Sequence, residues 1–190
     1  MNIGVFDIET TGFLNKGGFI VEVGIAKLNL ETGHVESVFD SVCREQGMTA
    51  KDRTAWIFEN SDLTVEEVRI APLLDDIMPE LQEHADSFDF ITAYNKRFDF
   101  DFLSSRGLKI KNEGPCPMVA ATPVCKLPSR SFRGGGYKWP KVEEAWDFFF
   151  PNEPYVEQHR GLDDAMHESK IIHRLCELGH MTFEGATGDA

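Results

Sequence analysis

Ile3-Gly4-Val5-Phe6-Asp7-Ile8-Glu9-Thr10-Thr11-Gly12, the run IGVFDIETTG at residues 3–12, decides how this chain is read. Side chains two apart on a strand share a face. Ile3, Val5, Asp7 and Glu9 therefore line one face, and Gly4, Phe6 and Ile8 line the other. Apolar residues on both faces describe a central strand over Ile3 to Ile8, covered on both sides. Thr10-Thr11-Gly12 reads as a turn, which sets Asp7 and Glu9 at the mouth of that strand. Two carboxylates there are costly unless something positive neutralises them. A divalent cation would do so; a strand end that simply emerges into solvent needs none.

Working outward, Phe19 to Leu30 (FIVEVGIAKLNL) is rich in Val and Ile and reads as a second strand. Glu31-Thr32-Gly33 is a turn signal, and His34 to Cys43 returns as a third strand, completing an antiparallel meander. Thr64 with Glu67 has the spacing of a capping box before a short helix. Pro72 fits the first turn of another helix, with Leu73, Leu74, Ile77, Met78 and Leu81 at helical spacing and Pro79 as a candidate kink. Ser87 to Tyr94 is a fourth strand candidate, followed by a helix over Asn95 to Ser105 that Gly107 closes. Met118 to Leu127, Lys138 to Phe150 and Gly161 to Leu178 read as further helices, the second with Trp139, Val142, Trp146 and Phe149 on its inner face. Strands first, then helices alternating with strand, indicate an α/β domain with a mixed sheet. One domain over residues 1–180 is expected, with 181–190 as a flexible tail.

The 190 residues carry 19 Lys and Arg against 32 Asp and Glu, a formal net charge of −13. Taken alone, that balance argues against nucleic acid, because phosphate neutralisation wants cations. Cys43, Cys116, Cys125 and Cys176 form no C-x-x-C pair, and read as reduced thiols. No apolar run reaches the length of a membrane span and no secretory signal is visible, so a soluble, cytoplasmic protein without a membrane partner is expected.

Two further acidic signals join Asp7 and Glu9. On the helix after the fourth strand, Asp99 shares a face with Phe102 and Leu103, whereas Asp101 sits with Arg97, Ser104 and Ser105. Asp99 is thus the inward carboxylate. In HRGLDDA, His159 lies just before the last helix, and Asp163 and Asp164 both lie in its first turns, where the helix dipole favours acids. Each signal alone has an ordinary surface explanation. Together they place acids from separate elements at strand ends and helix starts. Carboxylates without Cys and without a cluster of His suit hard cations such as Mg²⁺ or Mn²⁺. Two such ions roughly 3.5–4 Å apart clamp an in-line phosphoryl displacement, and an imidazole can take the proton of an attacking water.

These segments resemble the DEDDh family of 3′–5′ exonucleases, the DnaQ-like or RNase T-like group on the ribonuclease H-like fold. FDIETTG (Phe6 to Gly12), YNKRFDFDFL (Tyr94 to Leu103) and HRGLDDA (His159 to Ala165) match it in order and approximate spacing. The match covers nearly the whole chain, and Tyr137 to Pro151 also looks like bacterial and phage-type members. The resemblance implies a mixed sheet with a three-strand meander, flanked by helices. It puts the four acids on Asp7, Glu9, Asp99 and Asp164, choosing Asp164 over Asp163. It implies that they hold two Mg²⁺ or Mn²⁺ ions, with Asp7 bridging and His159 as general base. Thr10, Thr11 and Gly12 would then meet the 3′-terminal nucleotide, with Phe13 or Leu14 near its base and Asn95 and Phe98 as further contacts. Gly161 stands where many relatives have Ala, which is expected to loosen the helix start. Cys116-Pro117 replaces an Asp-Thr that many relatives carry.

Lys126 to Lys141 (KLPSRSFRGGGYKWPK) holds five cations and no acid. Cations, rings and a glycine run are the parts of a loop that binds single strands, so Arg130, Arg133, Tyr137 and Lys138 are candidate substrate contacts. Trp139 is assigned to the core. The expected activity is hydrolysis at free 3′ ends of nucleic acid, single-stranded DNA favoured over RNA, with release of 5′-mononucleotides. An RNA exonuclease of the RNase T or oligoribonuclease type, a proofreading polymerase partner, and a non-catalytic binding module are the alternatives.

Overall fold

The computed structural model describes residues 1–129 and 136–184. Its centre is a four-stranded mixed sheet in the order β3-β2-β1-β4. Strands β1 (Asn2–Thr10), β2 (Ile20–Asn29) and β3 (Val35–Val42) form the expected antiparallel meander, and β4 (Phe90–Thr92) runs parallel to β1. The period-2 pattern of β1 separates two cores. Phe6 and Ile8 face one cluster, built with α3 (Leu74–Ser87) and α4 (Lys96–Ser105). Ile3 and Val5 face the other, built with α5 (Pro117–Cys125), α6 (Val142–Phe149) and α7 (Gly161–Glu177). A small third cluster joins Val21 to α1 (Trp56–Asn60) and α2 (Val65–Ile70), the latter opened by the Thr64/Glu67 capping box.

Several expectations are corrected. The strand read over Ser87 to Tyr94 shrinks to Phe90–Thr92, because α3 runs on to Ser87 and Tyr94 already leads into α4. Its outer edge is covered instead by residues 112–114: Ile91 N donates to Asn112 O (2.8 Å) and Gly114 N to Ile91 O (2.8 Å). Pro72 lies outside the helix it was expected to open, which begins at Leu74. The helix read from Lys138 begins only at Val142, and Trp139, assigned to the core, is 67% exposed. At the C-terminus, Met181 and Phe183 are buried beside Phe90 and α7's cluster, so packing passes residue 180, where the tail was expected to begin. Residues 185–190 lie outside the described residues.

Candidate active site

β1 and β4 are parallel neighbours, so their carboxyl ends open on the same side of the sheet, where α/β folds place ligands. Asp7 and Glu9 close β1 on the α7 face. Asp99 arrives on the first turn of α4, just past β4, and its Oδ1 accepts a hydrogen bond from Ile8 N at 3.3 Å. It is 3% exposed, while Asp101 is exposed and pairs with Arg97, as the face argument required.

Asp164 comes from the first turn of α7 and is 2% exposed. Two neighbours fix its carboxylate: Tyr155 Oη donates to Oδ1 (2.6 Å) and Arg160 N donates to Oδ2 (3.0 Å). Tyr155 is itself stacked on His167, 4.1 Å between ring centres, and lies against Trp146 of α6. The helix can start this close because of two glycines. A Cβ on Gly24 would stand 2.1 Å from the Gly161 backbone, and one on Gly161 would stand 2.8 Å from Gly24 N. Gly24 is the cross-strand partner of Asp7. Gly161 was expected to loosen the helix start; it seats the helix directly on the strand pair beside Asp7.

His159 adopts left-handed backbone geometry, φ 53°, which is uncommon for a residue with a side chain. The conformation turns the strap of residues 155–160 into α7. Its ring meets Trp56 edge-on at 4.7 Å, and Nδ1 lies 4.0 Å from Glu157 Oε1. One ligating atom each from Glu9, His159 and Asp164 falls within 4.8 Å of the others. Next to it, Arg160 pairs with buried Glu22 (Nη2 to Oε1, 2.7 Å) and reaches Asp62 (2.6 Å). Glu22 sits opposite Glu9 in the β1–β2 register and also accepts from Gly161 N (3.2 Å).

The electrostatics follow from so many acids in a small, dry space. Burial, then the neighbouring carboxylates, pushes Glu9 up to about 9 and drives Asp7 well above the ordinary range. Asp99 is pushed up to about 8 by burial against the opposing Ile8 amide, and Glu157 to about 7 by burial, Asp164 and Glu143. Burial raises Asp164 too, although its Tyr155 and Arg160 hydrogen bonds pull the other way. A donor set dominated by carboxylates whose charges resist each other fits a hard divalent cation, which would neutralise them.

Beside the acids opens a cleft of about 270 Å³, lined by Ile8, Glu9, Thr10, Thr11, Gly12, Phe13, Trp56 and Phe98. Phe13 is 62% exposed and meets Phe98 edge-on at 6.4 Å, giving the cleft an aromatic wall. The turn is braced from within: Thr10 Oγ1 donates to Gly12 O (3.0 Å), and Thr11 Oγ1 accepts from Phe19 N (3.0 Å). Leu14 turns away and packs against the core. Asn95 is exposed and does not line the cleft. In the basic segment, Tyr137 is exposed and Lys138 is engaged by Glu144. Arg130 and Arg133 lie outside the described residues.

Reading the sequence missed Glu22, Trp56, Tyr155, Glu157, Arg160 and Glu168. Two of them left a signal: Glu22 interrupts an apolar strand, and Glu168 interrupts the Ala165/Ile172/Leu175 stripe. Trp56, Tyr155, Glu157 and Arg160 act through contacts distant in sequence and left none.

Fold and acid cluster together define a nuclease of the ribonuclease H-like class. A family model described as exonuclease, of the RNase T type, matches residues 5–172, and the chain belongs to that family, as a DnaQ-like 3′–5′ exonuclease of the DEDDh type. DEDDh enzymes depend on divalent metal, in keeping with the donor set above. Among curated proteins it is 28% identical over 173 residues to the PolC-type DNA polymerase III of Caldanaerobacter subterraneus subsp. tengcongensis, covering 91% of this chain and 11% of that protein. The PolC-type enzyme of Clostridium perfringens is likewise 28% identical, over 88% of this chain and 11% of its own length. The chain thus spans about a ninth of these relatives. Among solved structures, the nuclease domain of 3′hExo, a DEDDh family member bound to rAMP, superposes with a TM-score of 0.67 at 16% identity, over 97% of this chain and 96% of that one. Exonuclease I of E. coli, in complex with a dA oligonucleotide, gives 0.60 at 14% identity, over 93% and 41%. No described helix is long and apolar enough to cross a membrane.

Proposed function

We propose that the chain removes nucleotides one at a time from free 3′ ends of single-stranded DNA, releasing 5′-mononucleotides. Asp7, Glu9, Asp99 and Asp164 would hold two divalent cations, Mg²⁺ or Mn²⁺. When bound, the cations polarise the scissile phosphate and lower the cost of charge on the attacking and leaving oxygens. The rest falls to the chain. His159 takes the proton of the attacking water. Tyr155 and the Arg160 amide hold Asp164 in one orientation, and the Arg160–Glu22 pair fixes the strap that carries His159. Phe13, Phe98 and Trp56 offer rings to the terminal base, and the internally braced Thr10–Gly12 turn offers a rigid edge.

The observation that carries this reading is the cluster of Glu9, His159 and Asp164, one ligating atom of each within 4.8 Å of the others, with Asp7 and Asp99 as electrostatic neighbours of those acids. DNA is favoured over RNA because the sequence relatives are DNA polymerases. The same likeness favours a second reading, a proofreading partner of a polymerase. Digestion of matched DNA and RNA oligomers tests the substrate: faster shortening of DNA is expected, and faster shortening of RNA would reverse the assignment. Asp7→Asn should be inactive on both.

A further inference from the structure

Glu168 lies one turn beyond Asp164 on α7, so both side chains leave the same face of the helix. That face looks onto β1, and Glu168 is 2% exposed. Its Oε2 has no hydrogen-bond partner among the described residues. A buried, unpaired carboxylate oxygen is expensive, and a water or an ion is among the few things that explain its being kept. Among the leading influences on it, three are acids, Asp99, Asp164 and Glu157, and a hydrogen bond from the Tyr94 backbone favours its charged form. The acids that feel it are the candidate cation ligands. It ranks first among the charged neighbours of Asp7, and Asp99 and Asp164 head its own. A shape-matched apolar residue would complete the Ala165/Ile172/Leu175 stripe without any of this cost.

We infer that Glu168 is a fifth carboxylate of the cation site, set behind Asp7 and one helical turn from Asp164, and that it strengthens the hold on divalent cations. The inference rests on the proposed cation site and deepens it. Its orphan oxygen is the place where a cation, or a water of that cation's shell, completes the hydrogen bonding. Glu168 does not line the cleft, so its part is to retain the cations rather than to touch substrate.

Mn²⁺ titration of the purified chain, read by calorimetry and by the rise in Tm, separates the possibilities. In Glu168→Gln the Mn²⁺ Kd should weaken by about tenfold or more, with the apo Tm no lower than that of the parent. A Kd within twofold of the parent, while Asp7→Asn still loses Mn²⁺, would overturn the role of Glu168. Retained Mn²⁺ binding in Asp7→Asn would instead overturn the cation site itself. Should Glu168→Gln fail to fold, Glu168→Met carries the same test with no oxygen left to bind.

Discussion

His159 carries its side chain on a left-handed backbone, and that geometry suggests how to test its role cleanly. Asn tolerates the same conformation. His159→Asn is therefore expected to keep its Tm within a few degrees while kcat falls by roughly 10²–10⁴-fold, the range for losing a general base. A drop under tenfold would assign the proton to another group. Tyr155→Phe removes only the hydrogen bond to Asp164 Oδ1. It should weaken cation affinity by about tenfold, measured as the Mg²⁺ concentration that gives half-maximal rate. At this scale the sequence was legible where spacing carried the information. Asp7 and Glu9 at a strand end and Asp99 on the inner face of a helix are positions that spacing reveals, whereas the choice of Asp164 over Asp163 and the role of His159 came from the family resemblance. Tyr155 and Arg160 were not legible, because a hydroxyl and a guanidinium acquire their partners only when distant segments meet.

Between elements, the closest approach in the molecule's working end is α7 on β1 and β2. Gly24 permits it, since any Cβ there would overlap the Gly161 backbone. Gly24→Ala is expected to cost about 1–3 kcal/mol, as overpacking does, and to shift α7 enough to lower activity as well. Urea denaturation alongside the rate measurement checks both, and an unchanged midpoint would contradict the contact. Arg160→Ala should cost more, about 3–5 kcal/mol, because it strands Glu22 as an unpaired buried charge. The meander was readable from Val/Ile-rich runs and one turn signal, and α2 from its capping box. The length of β4 was not: SFDFITAY has strand composition throughout, yet α3 claims its first residue and Tyr94 already lies in the turn before α4. Trp139 misled in the same way, because aromatic spacing resembles an inner helix face until the helix start is known.

Over the whole molecule, the net charge of −13 reads differently once the acids are placed. Part of it sits in one buried cluster that cations would neutralise, so the composition does not exclude nucleic acid. The sign of the pH effect follows. Without cations, Glu9 and Asp99 hold protons up to about 9 and 8, whereas in the unfolded chain they release them in the ordinary carboxylate range, roughly 4. Between those limits the folded state binds more protons, so these groups lower stability as pH rises. Cations compete with those protons, and the Tm gained on adding Mn²⁺ should therefore be larger at pH 8 than at pH 6. Equal gains would mean that the cluster is not the binding site. The most direct test follows a 5′-labelled single-stranded deoxyoligonucleotide over time, in Mg²⁺ and in EDTA. A ladder shortening stepwise from the 3′ end in Mg²⁺, with none in EDTA, is the predicted result. Undiminished digestion in EDTA, or early release of the 5′ label as a mononucleotide, would contradict a cation-dependent 3′–5′ exonuclease.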